Sequence, residues 1–356
     1  MNENSSLLTK TIVKRANSLL FFLFFLVYPA LAPSAEFAFE KVVIWGHKLH
    51  THTHSYVHQG FFNGFSHMGY PTYWMDDNDG WGDFDFSNTL FLTEGQADKN
   101  IPLRADCFYM LHNCTDAKYE SLLPEQKIGI QVYTDDVLQY PHFVQIAPCC
   151  YYDFVDRVVY MPWATDLLPY QIDALKSSLP LQDMQKKIYW IGTIGGGKFG
   201  NREEIAPFIR ACTENGVEFV HLIGVEPADQ IQLIASSYMA PAIVGGWQQR
   251  QGYIPCRIFK NISYGKMGIT NSYRVYELFD KKIVYHPDSY QLFFAGVHAL
   301  QTRSRADTLA LMDLVRDRHT YLNRIELILR FFHLVALTGD TTSSTPKNFA
   351  LHAGGA

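Results

Sequence analysis

Charge is scarce in this chain. Of its 356 residues only 18% are Asp, Glu, Lys or Arg, against roughly a quarter in an ordinary globular protein. The formal net charge is −5 and no long run of one sign occurs. A nucleic-acid binder normally shows a basic face, so composition leads us to expect no nucleic-acid partner. The six cysteines include no C-x-x-C pair, which speaks against a zinc knuckle, and the adjacent Cys149 and Cys150 are poorly placed to join each other. No G-K-[ST] triplet is present, so a P-loop ATPase is disfavoured. What is abundant is apolar surface: 47% of residues are apolar, with 25 Phe, 21 Tyr and 6 Trp. A chain of this length can give two domains a core each without staples.

Residues 1–35 differ from the rest. Lys10, Lys14 and Arg15 precede an apolar run over residues 19–27, and Pro29, Ala30, Ala32, Ser34 and Ala35 follow. The run is shorter than the roughly twenty residues of a membrane span. A basic start, a short apolar core and a small-residue exit are the layout of an export signal or signal anchor, with cleavage expected after Ala35. The body is then exported or membrane-associated; it is cytoplasmic if the segment does not function.

Beyond it, short apolar runs alternate with helical spacing. Residues 41–46 read as an opening strand, 55–68 as a helix stopped by Gly69, and 70–75 as a strand closed by an acidic turn at Asp76, Asp77 and Asp79. Further strands are expected at 89–93, 107–112, 128–133 and 157–161. The pattern restarts at Lys187 with a strand, a Gly-rich loop and a helix from Arg202. Strands and helices continue to alternate to residue 271, and a long amphipathic helix is expected over 306–332. The fold class is therefore α/β, with two Rossmann-like domains facing a central cleft. Their expected bounds are 36–166 and 167–335, followed by a flexible tail at 336–356.

Two stretches in the second half carry chemistry. The loop Gly192, Thr193, Ile194, Gly195, Gly196, Gly197, Lys198 leaves a strand and approaches a helix start, a setting that suits phosphate oxygens and equally suits a plain tight turn. Residues 255–271 are more specific: Arg257, Phe259, Gly265 and Gly268 resemble the donor-site helix of group 1 GT-B glycosyltransferases. Lys260 stands where that family usually carries Glu. Residues 276–286, the helix start at Asp288, and Arg318-His319-Thr320-Tyr321-Leu322-Asn323-Arg324 resemble the branch named after the spore-maturation protein CgeB. The resemblance covers about residues 187–332.

It implies a GT-B fold and transfer of a sugar from a nucleotide-sugar donor to a glycan, lipid or protein acceptor. Gly192, Gly195, Gly196, Lys198, Arg257, Lys260, Tyr264, Gly265 and Asn271 are then the expected donor-binding residues. No cofactor is expected and no metal, because such enzymes meet the leaving diphosphate with helix N-termini and basic side chains. With Lys260 in place of an acid, a sugar-binding module without turnover is the non-enzymatic alternative.

His47, His50, His52, His54 and His58 crowd twelve residues directly after the first strand. They read in three ways. One is an acceptor loop in which His50, His52, His54 or His58 takes the proton of the acceptor hydroxyl, His52 and His54 first among them. Another is a hydrolase metal site of H-x-H type, although no later companion motif supports it. The third is a polar loop without chemistry. Asp166, at the crossing between the halves, is a further candidate catalytic residue or a helix cap.

Overall fold

The computed structural model describes residues 38–48, 53–115, 117–134, 143–178 and 186–338. The signal-like run, His50, His52 and the tail from residue 339 lie outside these. No helix among the described residues is long and apolar enough to cross a membrane.

The first half is built on strands β1 (Lys41–Trp45), β2 (Thr72–Met75), β3 (Thr89–Glu94), β4 (Phe108–His112), β5 (Lys127–Gln131), β6 (Phe143–Ala147), β7 (Cys150–Asp153) and β8 (Val158–Tyr160). They form one sheet in the order β2-β1-β3-β4-β5-β8-β7-β6. The pairs from β2 across to β8 are parallel, and β7 and β6 close the edge antiparallel. Every residue of β3 is buried, as expected of a parallel strand covered on both faces. Alternate side chains divide between two cores. Val42, Ile44, Leu90 and Met110 pack under helix α1 (Thr53–His67), while Val43, Trp45, Phe91 and Tyr109 pack against Tyr119 and Leu122.

The second half follows helix α2 (Pro169–Ser178). Strands β9 (Lys187–Ile191) and β10 (Glu218–Leu222) pair in parallel, as do β11 (Pro241–Ala242), β12 (Ile269–Thr270) and β13 (Val284–Tyr285). Between and after them run α3 (Arg202–Glu214), α4 (Pro227–Ser236), α5 (Gly246–Arg250), α6 (Cys256–Ser263), α7 (Tyr273–Leu278) and α8 (Ser289–Thr302). Trp190, Phe208, Ile258, Phe259 and Phe293 lie at the centre of this core.

The long helix expected over 306–332 is two helices, α9 (Arg305–Arg318) and α10 (Tyr321–Thr338). The break falls at His319 and Thr320. There the His319 carbonyl accepts the Thr165 amide at 3.0 Å, and Asn323 Oδ1 accepts both the amide and the hydroxyl of Thr320. These bonds take backbone groups out of the helical ladder. Beyond the break α10, grouped with the second half in the sequence reading, returns to the first. Tyr321, Ile325, Ile328 and Phe331 complete the core under β1, β3 and β4. The approach is close: a Cβ on Gly60 would fall 2.2 Å from the Tyr321 ring. All six cysteines are free.

Ile325 is fully buried in this seam. Ile325→Ala is expected to destabilise the protein by about 2–5 kcal/mol through lost transfer energy and the cavity left behind. Chemical denaturation measures it; a loss near zero would mean that α10 does not belong to the first core.

Candidate functional site

β9 ends at Ile191, and the chain turns at Gly192 with φ +112°, a backbone state that suits glycine. A Cβ there would also stand 3.0 Å from Arg257 Nη2. The Arg257 guanidinium sits 3.8 Å from the centroid of the Trp190 ring, a cation–π contact. Burial lowers its pKa to about 10, which leaves it charged at neutral pH. Among the described residues no carboxylate pairs with Arg257, and no acceptor meets the buried Nε1 of Trp190. Arg257 belongs to the first turn of α6, which has Pro255 at its N-cap, no side-chain cap and no acidic residue in that turn. The positive end of the helix dipole is therefore uncapped by the protein's own carboxylates.

These groups line a cleft of about 260 Å³ together with Gly195, Gln230, Lys260 and Tyr264. Ile223 and Gly224 line it beyond β10, and Tyr56 of α1 closes it from the opposite half. Its place, outside the carboxyl ends of β9, β10 and β11, is where open parallel sheets take ligands.

Asp166 ties the two walls together. The Tyr264 hydroxyl lies 2.7 Å from each of its carboxylate oxygens. Lys260 Nζ stands 3.5 Å from Asp166 Oδ2 and donates to Gln230 Oε1 at 2.6 Å. It also lies 4.3 Å from the centroid of the Tyr56 ring, while the Tyr56 hydroxyl donates to the Val225 carbonyl at 3.3 Å. Burial first, and the Asp166 charge second, hold the Tyr264 hydroxyl well above its usual pKa. An acid does meet position 260, but it comes from the crossing segment rather than from the helix itself.

Of the expected donor residues, Gly192, Gly195, Arg257, Lys260 and Tyr264 line the cleft, and Gly196, Lys198, Gly265 and Asn271 do not. Lys198 is exposed, its Nζ 4.6 Å from the Trp247 ring centroid. Gly265, with φ +88°, follows the end of α6. Asn271 is buried and grips the backbone of Val244, accepting its amide at 2.8 Å and donating to its carbonyl at 3.0 Å. The Gly-rich loop closes on itself: the Gly195 carbonyl accepts the amides of Asn201 and Arg202. The first turn of α3 carries Glu203 and Glu204, and Glu204 accepts the Gly246 amide. That helix end is answered by the protein's own carboxylates, so the anion-seeking end is the start of α6. Sequence reading missed Trp190, Gln230 and His221, whose Nε2 lies 2.8 Å from the Gly192 carbonyl. It also missed Tyr56, whose hydroxyl turns to the other half.

The histidine-rich segment builds a second cluster at the carboxyl ends of β1, β3 and β4. His47 Nε2 lies 2.9 Å from Glu94 Oε2, and His54 Nδ1 lies 3.6 Å from the same oxygen. His58 Nδ1 pairs with the Gly46 carbonyl at 2.9 Å, and His112 Nδ1 with the Ile130 carbonyl at 3.0 Å. Burial opposes the Glu94 charge, but the His47 hydrogen bond and the neighbouring imidazoles outweigh it and hold the carboxyl at about 2. Burial also lowers His112 and takes His58 to about 3. The acidic turn is a turn: Asp77 accepts the amides of Lys99 and Asn100, and Asp79 pairs with Lys48.

Buried His58 stays neutral down to about pH 3, whereas its ordinary pKa is 6.5. Its contribution to stability is thus complete above pH 6.5 and is lost as pH falls from there toward 3, because the unfolded chain takes up the proton first. Unfolding measured across that window should show stability falling with pH, and His58→Asn should flatten the slope. An unchanged slope would remove His58 from the acid-labile groups.

No family model matches the sequence, and no curated protein matches it. Solved structures do match the fold. An alpha-glucosyltransferase in complex with UDP aligns with a TM-score of 0.50 at 9% identity, over 82% of this chain and 99% of that one. An alpha-glucosyltransferase with UDP and a 13-mer DNA containing a HMU base gives 0.52 at 8% identity, over 82% and 99%. A third, with UDP and a 13-mer DNA containing a central A:G mismatch, gives 0.50 at 8%, over 82% and 98%. The fold that these structures share with the present chain is GT-B, two Rossmann-like domains about a central cleft.

Proposed function

We propose that this chain is a glycosyltransferase that moves a hexose from a nucleotide-sugar donor to an acceptor held against the first half. The observation that carries the reading is Arg257. A cation that no carboxylate of the described residues pairs with, stacked on Trp190 at the uncapped start of α6, is a group set to receive an anion. The UDP named with all three structural neighbours supports a nucleoside diphosphate there. The motifs at residues 276–288 and 318–324 support placement near the CgeB-like branch.

In this reading the departing diphosphate lies over Gly192 and Gly195, and its growing charge is met by the α6 dipole, Arg257 and Lys260, without a metal ion. Asp166 is a positioning residue: it holds Lys260 and the Tyr264 hydroxyl at the cleft. His54, beside Glu94, takes the proton of the acceptor hydroxyl, with His52 as the other candidate for that role. A glycan, lipid or protein remains the proposed acceptor. Two of the neighbours are complexes with DNA, whereas the net charge of −5 of this chain disfavours a nucleic-acid acceptor.

The test is a thermal-shift screen of the full chain against UDP, GDP, CMP and ADP, with and without divalent metal. A ligand at a hundred times its Kd stabilises by about 2.7 kcal/mol. UDP is expected to stabilise without metal, and Arg257→Ala should weaken it about tenfold or more, the worth of a charge-assisted hydrogen bond. Stabilisation by none of the four nucleotides would overturn the reading.

A further inference from the structure

The cluster on the first half has a property that sugar transfer does not call on. One ring nitrogen each of His47 and His54 and one Glu94 carboxylate oxygen all lie within 4.8 Å of one another. A zinc ion holds imidazole nitrogen and carboxylate oxygen at about 2.0–2.2 Å, which sets tetrahedral ligand atoms a little over 3 Å apart. The separations of 2.9 Å and 3.6 Å from Glu94 Oε2 fall on either side of that spacing. The side chains of Glu94, His47 and His54 are 0%, 7% and 20% exposed, so little bulk water competes for the position.

His47 follows the end of β1, Glu94 ends β3, and His54 stands in the first turn of α1. Glu94 is held from behind: Oε2 accepts the Gln96 amide at 3.0 Å, and Asn113 Nδ2 lies 3.5 Å from Oε1. Such outer hydrogen bonds orient a ligating carboxylate.

We propose that His47, His54 and Glu94 bind one divalent transition-metal ion of the zinc class. Two nitrogens and one oxygen match zinc or cobalt, whereas magnesium and calcium favour oxygen alone. Three protein ligands leave a fourth position open to water or a hydroxyl. The site belongs to the same half as the cleft-lining Tyr56, which stands two residues after His54 on α1. It lies on the opposite wall from Arg257, so it is separate from the group that meets the leaving diphosphate. With an ion held there His54 is a ligand, and the acceptor's proton passes to His52, the other candidate for that role.

The experiment uses the full chain, stripped with chelator and titrated with zinc chloride by calorimetry, with bound metal counted by mass spectrometry. One zinc per chain is expected, with affinity reduced at least tenfold in both His47→Ala and Glu94→Gln. His298→Ala, an exposed histidine on α8, should leave the count at one. The UDP thermal shift is run on the same variants; its retention shows that they fold and separates this proposal from the donor reading. Cobalt(II) added to the unaltered protein should give the intense visible bands of a four-coordinate site. Absence of uptake, uptake indifferent to His47→Ala and Glu94→Gln, or a pale octahedral cobalt spectrum would each overturn the proposal.

Discussion

A single buried guanidinium sets the geometry on which the cleft depends. Arg324 is 3% exposed, and its Nε donates to the Pro162 carbonyl at 2.8 Å. Its remaining nitrogens reach the carbonyls of Trp163 and Arg318 and the ring of His319. It therefore satisfies backbone oxygens of the segment that crosses between the halves and of the last turn of α9 in one plane, as a fork of donors can. His319 stacks on Phe259 of α6 with ring centroids 4.6 Å apart. The helix that presents Arg257 is thus packed directly against the seam that joins the sheets.

From that seam Thr165 and Asp166 enter the cleft. The Thr165 hydroxyl meets Ser263 at 2.7 Å at the end of α6, and Asp166 takes Tyr264 and Lys260. Each wall is held by side chains of the other half. The cleft keeps a net positive charge: one carboxylate answers Lys260, and among the described residues none answers Arg257 beside it.

Much of this was legible in the sequence, for reasons that differ by element. The strands opening at Lys41 and Lys187 were readable because a buried parallel strand is a near-continuous apolar run bounded by glycine. α6 was readable through the spacing of Arg257, Phe259 and Gly265. The break at Thr320 was not, because apolar periodicity runs through it and the cause is a hydrogen bond to Thr165, far away in the chain. Glu94 was invisible for a similar reason: a lone acid at the end of an apolar strand acquires meaning only when the loop after β1 folds over it. The Gly-rich loop misled in part, since its glycines serve backbone packing, with a Cβ on Gly200 falling 2.1 Å from the Gly195 oxygen.

The return of α10 to the first sheet has a consequence for how the protein is made. During synthesis the first half emerges early, yet one face of its sheet has only α1 to cover it until Tyr321, Ile325, Ile328 and Phe331 have left the ribosome. Domains otherwise fold in order from the N-terminus. Here the first domain is the last to be finished, so the wall of the cleft that α1 carries is completed after the wall that α6 carries.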